Sequence, residues 1–157
     1  MSAARVTHGQ LAAGPAAATI AFVLGSDVDS AGATVWDVLS ATSAVCPALV
    51  AGDRHVVGNP TPPGGIDLRL VGIVLEHNGE VVATAAGAAD QGHPAAAVAD
   101  LARRLATAGD PLRAGEIVAT APLAAVAEVR AGDVLVASVG RLGSVEAPVT
   151  LVRRPAP

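Results

Sequence analysis

The side chains that could carry chemistry are few and scattered in this sequence. They comprise Asp53, His55, His77, Asp90 and His93. A helical metal site places two ligands four residues apart on one face, and these residues do not have that spacing. The sequence also lacks the Gly-x-Ser-x-Gly motif that exposes a serine nucleophile on a sharp turn. The polar residues alone therefore predict neither a metal site nor a hydrolase triad.

Composition excludes several classes of reaction and partner. All ten Lys-plus-Arg positions are arginine, so no lysine can form a Schiff base or act as a general base. The single cysteine, Cys46, lies in an apolar run and is interpreted as a small buried hydrophobe. The formal net charge of -4 offers no basic surface to phosphates, so no nucleic-acid partner is expected. Because no segment reaches the roughly 20 apolar residues of a bilayer span, we also expect no membrane partner and a cytoplasmic location.

The chain is predicted to form one domain between two loose ends. Residues 1–18 are rich in Ala and Gly without a sustained period, which predicts a flexible or irregular N-terminal arm. The core domain is predicted over residues 19–152. The Pro-containing end, residues 153–157, is predicted to fray.

The first half of the core is predicted to contain two strands, a short helix and a loop. An apolar run at 19–24 and a shorter one at 48–51 are typical of buried strands. Between them, Thr34 can cap a helix that runs to about Ala44. The segment 52–65 is rich in Pro and Gly, which indicates a loop. This loop is either a mobile lid over a site or a simple connection between strands.

The second half is predicted to contain a hairpin, the main helix and a final strand pair. Alternating apolar residues around Asn78-Gly79 predict a hairpin over 67–86, because a type I′ turn needs two residues with positive φ. Pro94 and Gly109 delimit the main helix. The last strands are predicted at 134–139 and 144–151. Many short strands with two helices indicate an α+β fold.

Several separated blocks of sequence, in a consistent order, carry a recognisable pattern. These blocks are residues 67–84, Gly92-His93-Pro94, 112–118, 130–133 and 140–144, with further matching strings at 20–24, 37–42 and 47–49. Over about residues 20–151 they resemble the carboxy-terminal core of the 2-keto-4-pentenoate hydratase and 4-oxalocrotonate decarboxylase family. The resemblance implies a rolled mixed β-sheet core of the fumarylacetoacetate hydrolase type. It also implies a lyase that hydrates or decarboxylates small 2-oxo dienoate acids with Mg²⁺ or Mn²⁺.

The acidic metal ligands that this resemblance implies are replaced. The family has a Glu-x-Glu pair and a third Glu at the positions that read Ala17, Thr19 and Val50 here. A hard divalent ion prefers several oxygen ligands, whereas Ala and Val offer none and a Thr hydroxyl is a poor neutral substitute. We therefore expect no cofactor, and Mg²⁺ or Mn²⁺ only if other residues form a different site.

Three residues remain as catalytic candidates, namely Asp53, His93 and Thr120. Thr120 is the one hydroxyl kept in residues 119–125, which correspond to a strand that lines the family's pocket. Asp53 is a carboxylate that could replace a lost ligand. His93 also has a structural interpretation, in packing or capping at the start of the main helix.

Three functions are compatible with these features. The chain could be an unusual lyase acting on a 2-oxo acid, an inactive relative that binds such an acid or partners an active paralogue, or one chain of a split enzyme. A homo-oligomer, or a hetero-oligomer with a related chain, is expected in each case.

Overall fold

The computed structural model describes residues 2–151 and shows an α+β fold, as predicted. The strands in this range are β1 (Ala4–Arg5), β2 (Leu11–Ala12), β3 (Gly14–Leu24), β4 (Thr42–Ala51), β5 (Arg54–Val57), β6 (Gly72–His77), β7 (Glu80–Ala86), β8 (Ile117–Ala119), β9 (Ala124–Val129), β10 (Val134–Val139) and β11 (Gly143–Thr150). The helices are α1 (Val35–Ala41) and α2 (Pro94–Thr107), with a 3₁₀ turn at Gly87–Ala89.

The strands form two sheets around one aliphatic core, and the pairings of the named strands are antiparallel in the first sheet and mixed in the second. Within residues 2–151 the first sheet has the order β1-β8-β3-β4-β5, with β9 also paired to β3. The second has the order β2-β11-β10-β6-β7, in which β2 and β11 are parallel. Alternate residues of β3, such as Ile20 and Phe22, enter the main core with Leu75 and Leu135 from the second sheet. The opposite face of β3 and β4 carries small residues, including Ala21, Cys46 and Ala48.

The predicted hairpin and main helix are both present. Asn78 and Gly79 have φ values of 52° and 84°, which is the positive-φ pair that a type I′ turn requires. This turn is tied to the start of β10, because His77 Nε2 lies 2.8 Å from Asp133 Oδ2 and the Val134 N–H donates to Asn78 Oδ1. Helix α2 begins at Pro94, and His93 Nδ1 caps it by accepting from the Ala95 N–H at 3.0 Å.

The prediction of an irregular arm over residues 1–18 is not met in the described part. Residues 4–5 and 11–12 are short strands, and β3 begins at Gly14 rather than at Thr19. Ala16, Ala17 and Ala18 are wholly buried. A strand covered on both faces has no reason to alternate apolar and polar residues, so its Ala-rich beginning showed no period. The domain bounds 19–152 stay a prediction, and the tail 153–157 lies outside the described residues.

The other boundary differences lie around β4. Helix α1 ends at Ala41, and β4 begins at Thr42 without a connecting loop, so the predicted strand at 48–51 is only its last part. Strand β5 lies inside the predicted loop 52–65 and pairs with β4, Val50 opposite His55. The remainder of that loop is attached to β4 by two backbone hydrogen bonds of 2.9 Å between Val45 and Thr61.

Candidate functional site

The three positions predicted to have lost metal ligands lie together in the first sheet. Ala17 pairs directly with Val50 across β3 and β4, and Thr19 follows Ala17 on the same face of β3. All three side chains are buried, with exposed fractions of 0% for Ala17, 1% for Thr19 and 8% for Val50. The fold therefore groups these positions although their side chains are not acids.

Thr19 has a structural hydrogen-bonding role in this group. Its hydroxyl donates to the backbone carbonyl oxygens of Thr120 at 3.2 Å and Ala121 at 3.1 Å. Thr120 is also buried, and its hydroxyl donates to the Pro94 carbonyl at 2.7 Å. These bonds connect β3, the segment after β8 and the start of α2. Both hydroxyl protons are used within the protein.

A cavity of about 350 Å³ adjoins this group. Its walls include Val50, Thr120 and Asp53, together with Arg5 and His55. Two of the three catalytic candidates, Asp53 and Thr120, thus line the same space, beside Val50. The volume is at the small end of the range for ligand sites, which fits a small acid better than a larger cofactor.

The N-terminal residues close one side of this cavity. Ala4 and Arg5 pair with Ala119 and Val118 of β8, and the backbone at Thr7 accepts from the His55 N–H at 2.8 Å. The segment 4–7 therefore contacts both β8 and β5, which lie on opposite sides of β3 and β4 in the sheet. Sequence reasoning missed this wall because residues 1–18 have no periodicity that would predict a position against the sheet.

Arg5 is held by acidic partners rather than left available. Its Nε donates to Glu116 at 2.7 Å, and its Nη1 donates to Asp110 at 2.8 Å. The Glu116 hydrogen bond, followed by that to Asp110, raises the pKa of Arg5 above its ordinary value. The guanidinium is therefore permanently charged, but two carboxylates offset its charge at the cavity wall.

His55 is a buried, neutral histidine. Its Nδ1 accepts a hydrogen bond of 3.1 Å from the Thr7 N–H, so the proton of the neutral ring is on Nε2. Burial is the main cause that lowers the pKa of His55. With Nδ1 already accepting, His55 can donate a hydrogen bond but is poorly placed to act as a general base. No hydrogen bond joins it to Asp53 among the described residues.

The third catalytic candidate, His93, lies elsewhere. It lines a different cavity together with Trp36 and Arg69, and its Nδ1 caps α2. Its predicted structural interpretation as a cap is confirmed. His77 is engaged with Asp133 at the hairpin, so it too is separate from the cavity beside Val50.

The residues of this site do not fit a divalent metal ion. Mg²⁺ and Mn²⁺ need several oxygen ligands, but Asp53 is the one carboxylate lining the cavity. Across residues 2–151, no three His, Cys, Asp or Glu side chains converge as possible ligands.

The same range contains no helix with the length and hydropathy needed to cross a membrane.

Comparison with known proteins shows clear relatives, although no family model matches the chain. It is 39% identical over 150 residues to the 2-keto-4-pentenoate hydratase of Paraburkholderia xenovorans, covering 82% of this chain and 56% of that protein. It is 45% identical over 82 residues to a 4-oxalocrotonate decarboxylase of Pseudomonas putida, covering 52% of this chain and 31% of that protein. The chain thus spans little more than half the length of the hydratase.

Solved structures agree with this assignment. The 4-oxalocrotonate decarboxylase from Pseudomonas putida G7, complexed with calcium and acetate, superposes with a TM-score of 0.81 at 31% identity, over 88% of this chain and 61% of that one. A fumarylacetoacetate hydrolase from Exiguobacterium antarcticum has a TM-score of 0.68 at 14% identity, over 94% of this chain and 62% of that one, which shows a shared fold. The chain belongs to the 2-keto-4-pentenoate hydratase and 4-oxalocrotonate decarboxylase family.

Proposed function

We propose that this chain binds a small 2-oxo acid in the cavity beside Val50 and does not turn it over by a metal-dependent route. The relatives named as hydratases and decarboxylases support the class of ligand. The observation that carries the proposal is the Ala17–Val50 pair, which leaves the family's ligand positions apolar next to a cavity.

The size and lining of the cavity support binding of a small molecule. Its volume of about 350 Å³ suits a compact acid, and the Nε2–H of His55 can donate a hydrogen bond to an oxygen atom of a ligand. A metal-free site must hold a 2-oxo acid by hydrogen bonds alone, without chelation. We therefore expect weaker binding than in a relative whose metal ion would chelate the keto acid.

This site lacks two kinds of group that lyase chemistry requires. Polarising a 2-oxo acid towards its enol requires a Lewis acid or strong oxyanion donors, and the three former ligand positions supply neither. The hydroxyls of Thr19 and Thr120 donate to backbone carbonyls and are not free to stabilise an enolate. These features support binding without turnover.

Two measurements test this proposal. Loss of the ultraviolet absorbance of 2-hydroxypenta-2,4-dienoate is followed with Mg²⁺, with Mn²⁺ and with EDTA, and no turnover is expected. Binding of 2-oxopentanoate, a stable 2-oxo acid, is measured by titration calorimetry, and binding independent of Mg²⁺ is expected. Turnover abolished by EDTA, or no binding at all, would contradict the proposal.

A charge variant locates the binding site. Asp53→Asn removes a negative charge from the cavity wall and should strengthen binding of the acid by several-fold, because the carboxylate of Asp53 repels that of the ligand. Asp29→Asn is the matched control, since Asp29 is exposed and lines a different depression. Equal effects of the two substitutions would show that the acid does not bind beside Val50.

A second candidate function is assembly with a related chain. Strand β7 is at the end of its sheet, and its Val81 and Val82 are 61% and 41% exposed. An exposed apolar edge strand is suited to pairing with a strand of another molecule. Light scattering after size exclusion should show an oligomer that Val82→Lys dissociates. If the wild-type protein is a monomer both by itself and in a mixture with an active paralogue, the result would argue against assembly.

A further inference from the structure

A second cavity, of about 560 Å³, lies between α1 and the loop that follows β5. Its apolar walls are Val35, Trp36 and Leu39 from α1, and Pro63, Ile66 and Leu68 from the loop. It shares no lining residue with the cavity beside Val50. Its volume and its mainly apolar walls are typical of small-molecule sites.

The walls of this cavity are held in place by the protein itself. Helix α1 starts with a capping box, in which the Thr34 N–H donates to Asp37 at 2.8 Å and the Asp37 N–H donates to the Thr34 hydroxyl at 3.3 Å. The facing loop is fixed by its two backbone hydrogen bonds to β4 between Val45 and Thr61. A cavity with fixed walls needs little ordering when a ligand binds.

Trp36 is placed at the mouth of this cavity and is 78% exposed. A large aromatic side chain on a fixed helical turn, beside partly buried Val35 and Leu39, offers a flat surface for a ligand. Burying a tryptophan face contributes much of the free energy of binding in many sites. The exposed indole therefore marks where a bound molecule would gain most contact.

The polar groups of the cavity indicate an uncharged occupant. Arg69 donates from Nε and Nη2 to the two Asp67 oxygens at 3.0 and 2.7 Å, so their charges offset each other. His93 uses Nδ1 to cap α2, which leaves Nε2–H as a hydrogen-bond donor in the neutral ring. Burial lowers the pKa of His93, which favours that neutral form.

We infer that this cavity binds an uncharged, largely apolar small molecule that stacks on Trp36 and accepts a hydrogen bond, from the His93 imidazole or the Arg69 guanidinium. This site is separate from the proposed 2-oxo acid site and does not depend on it. A charged ligand is disfavoured because it would have to compete with the Asp67–Arg69 ion pair.

Trp36 is the sole tryptophan of the chain and reports binding directly. The first probe is 6-propionyl-2-(dimethylamino)naphthalene, which is uncharged and carries a carbonyl acceptor. The second is the anionic 1-anilinonaphthalene-8-sulfonate. We expect the uncharged probe to quench the fluorescence of Trp36 saturably, with one probe molecule bound per chain. The anionic probe should bind at least tenfold more weakly. Absence of saturable binding, or equal affinity for both probes, would overturn the inference.

Two variants locate the probe. Trp36→Ala removes an exposed side chain, so it should leave the fold intact. Binding of the uncharged probe, measured by the fluorescence of the probe itself, should become at least tenfold weaker. Leu151→Ala is the matched control, because Leu151 is 83% exposed and lies outside the cavity. If the Trp36→Ala variant binds the probe as tightly as the wild type, or if both variants lose the same affinity, the probe binds elsewhere.

Competition distinguishes this inference from the proposed function. Saturating 2-oxopentanoate should not displace the uncharged probe, because the two cavities have no residue in common. Displacement would show that a single site binds both and would overturn the inference. If 2-oxopentanoate does not bind at all, the proposed function fails while probe binding at Trp36 still stands.

Discussion

Ala17 and Val50 lie directly opposite each other in the antiparallel ladder of β3 and β4. Thr19 is two residues further along β3 on the same face, so the three positions at which the family resemblance implies acidic ligands are together in space. None of the three side chains is an acid, because two are apolar and the third is a threonine that donates its hydroxyl to the backbone.

Introducing acids at these positions should create metal-dependent stability. In the triple variant Ala17→Glu, Thr19→Glu, Val50→Glu, three carboxylates would be buried together, at a cost of several kcal/mol without a cation. In EDTA, we expect the Tm of this triple variant to lie at least about 5 °C below that of the wild type. Mn²⁺ should recover much of this loss, because it binds the folded state. The variant with Gln at the same three positions is the control. An equal rise of Tm with Mn²⁺ in the Glu and Gln variants would contradict the prediction.

Removing the Thr19 hydroxyl should destabilise the protein. Thr19→Val keeps the shape of the side chain but leaves the Thr120 and Ala121 carbonyls without this donor. Buried acceptors that lose a partner cost about 1–3 kcal/mol, measured by denaturant unfolding. Thr84→Val, on the exposed face of β7, should change the free energy of unfolding by less than about 0.5 kcal/mol. Equal effects would argue against a role for the Thr19 hydrogen bonds.

Acid should weaken the wall formed by the N-terminal segment. The pKa of His55 is lowered in the folded state, so the unfolded chain binds this proton more readily. The contribution of neutral His55 is therefore full above the unfolded pKa of about 6.5 and is lost as the pH falls towards the folded value. We expect His55→Gln to flatten the loss of stability below pH about 6.5, measured by urea unfolding at several pH values. A profile identical to wild type would show that His55 does not carry this dependence.

Gly87 should not tolerate a side chain. A Cβ at this position would overlap the backbone carbonyl of Leu68, and the backbone is held there because the Gly87 N–H donates to the Val71 carbonyl at 2.9 Å. Gly87→Ala should therefore destabilise by more than about 2 kcal/mol. Gly64→Ala meets no atom within 4 Å and should be nearly neutral. A stable Gly87→Ala protein would show that the 3₁₀ turn shifts easily.

Local chemistry made several elements predictable from the sequence. The Asn78-Gly79 hairpin and helix α2 depend on residues close together in the chain, namely a positive-φ pair in one case and Pro94 with its His93 cap in the other. The α+β class and the family assignment followed from such local blocks. The identities of Ala17, Thr19 and Val50 also belong to the sequence, since the absence of carboxylates can be read without any structure.

The beginning of the chain was not predictable in the same way. Its short strands exist because Arg5 pairs across to β8 and Thr7 to His55, at separations that leave no local pattern. The same is true of Ala16 to Ala18, whose burial depends on both β4 and β9. Alanine has no strong strand preference of its own, so partners distant in sequence decided its conformation.

The sequence by itself therefore determined which side chains are available, including the absence of acids at Ala17, Thr19 and Val50, and the local hairpin and helix signals. The tertiary structure alone decided that Asp53 and Thr120 share a cavity while His93 faces another with Trp36. It also decided that residues 2–7 close the first of these cavities. The physical reason is that cavities form between segments far apart in the chain, and strand pairing and packing, rather than spacing, bring their walls together.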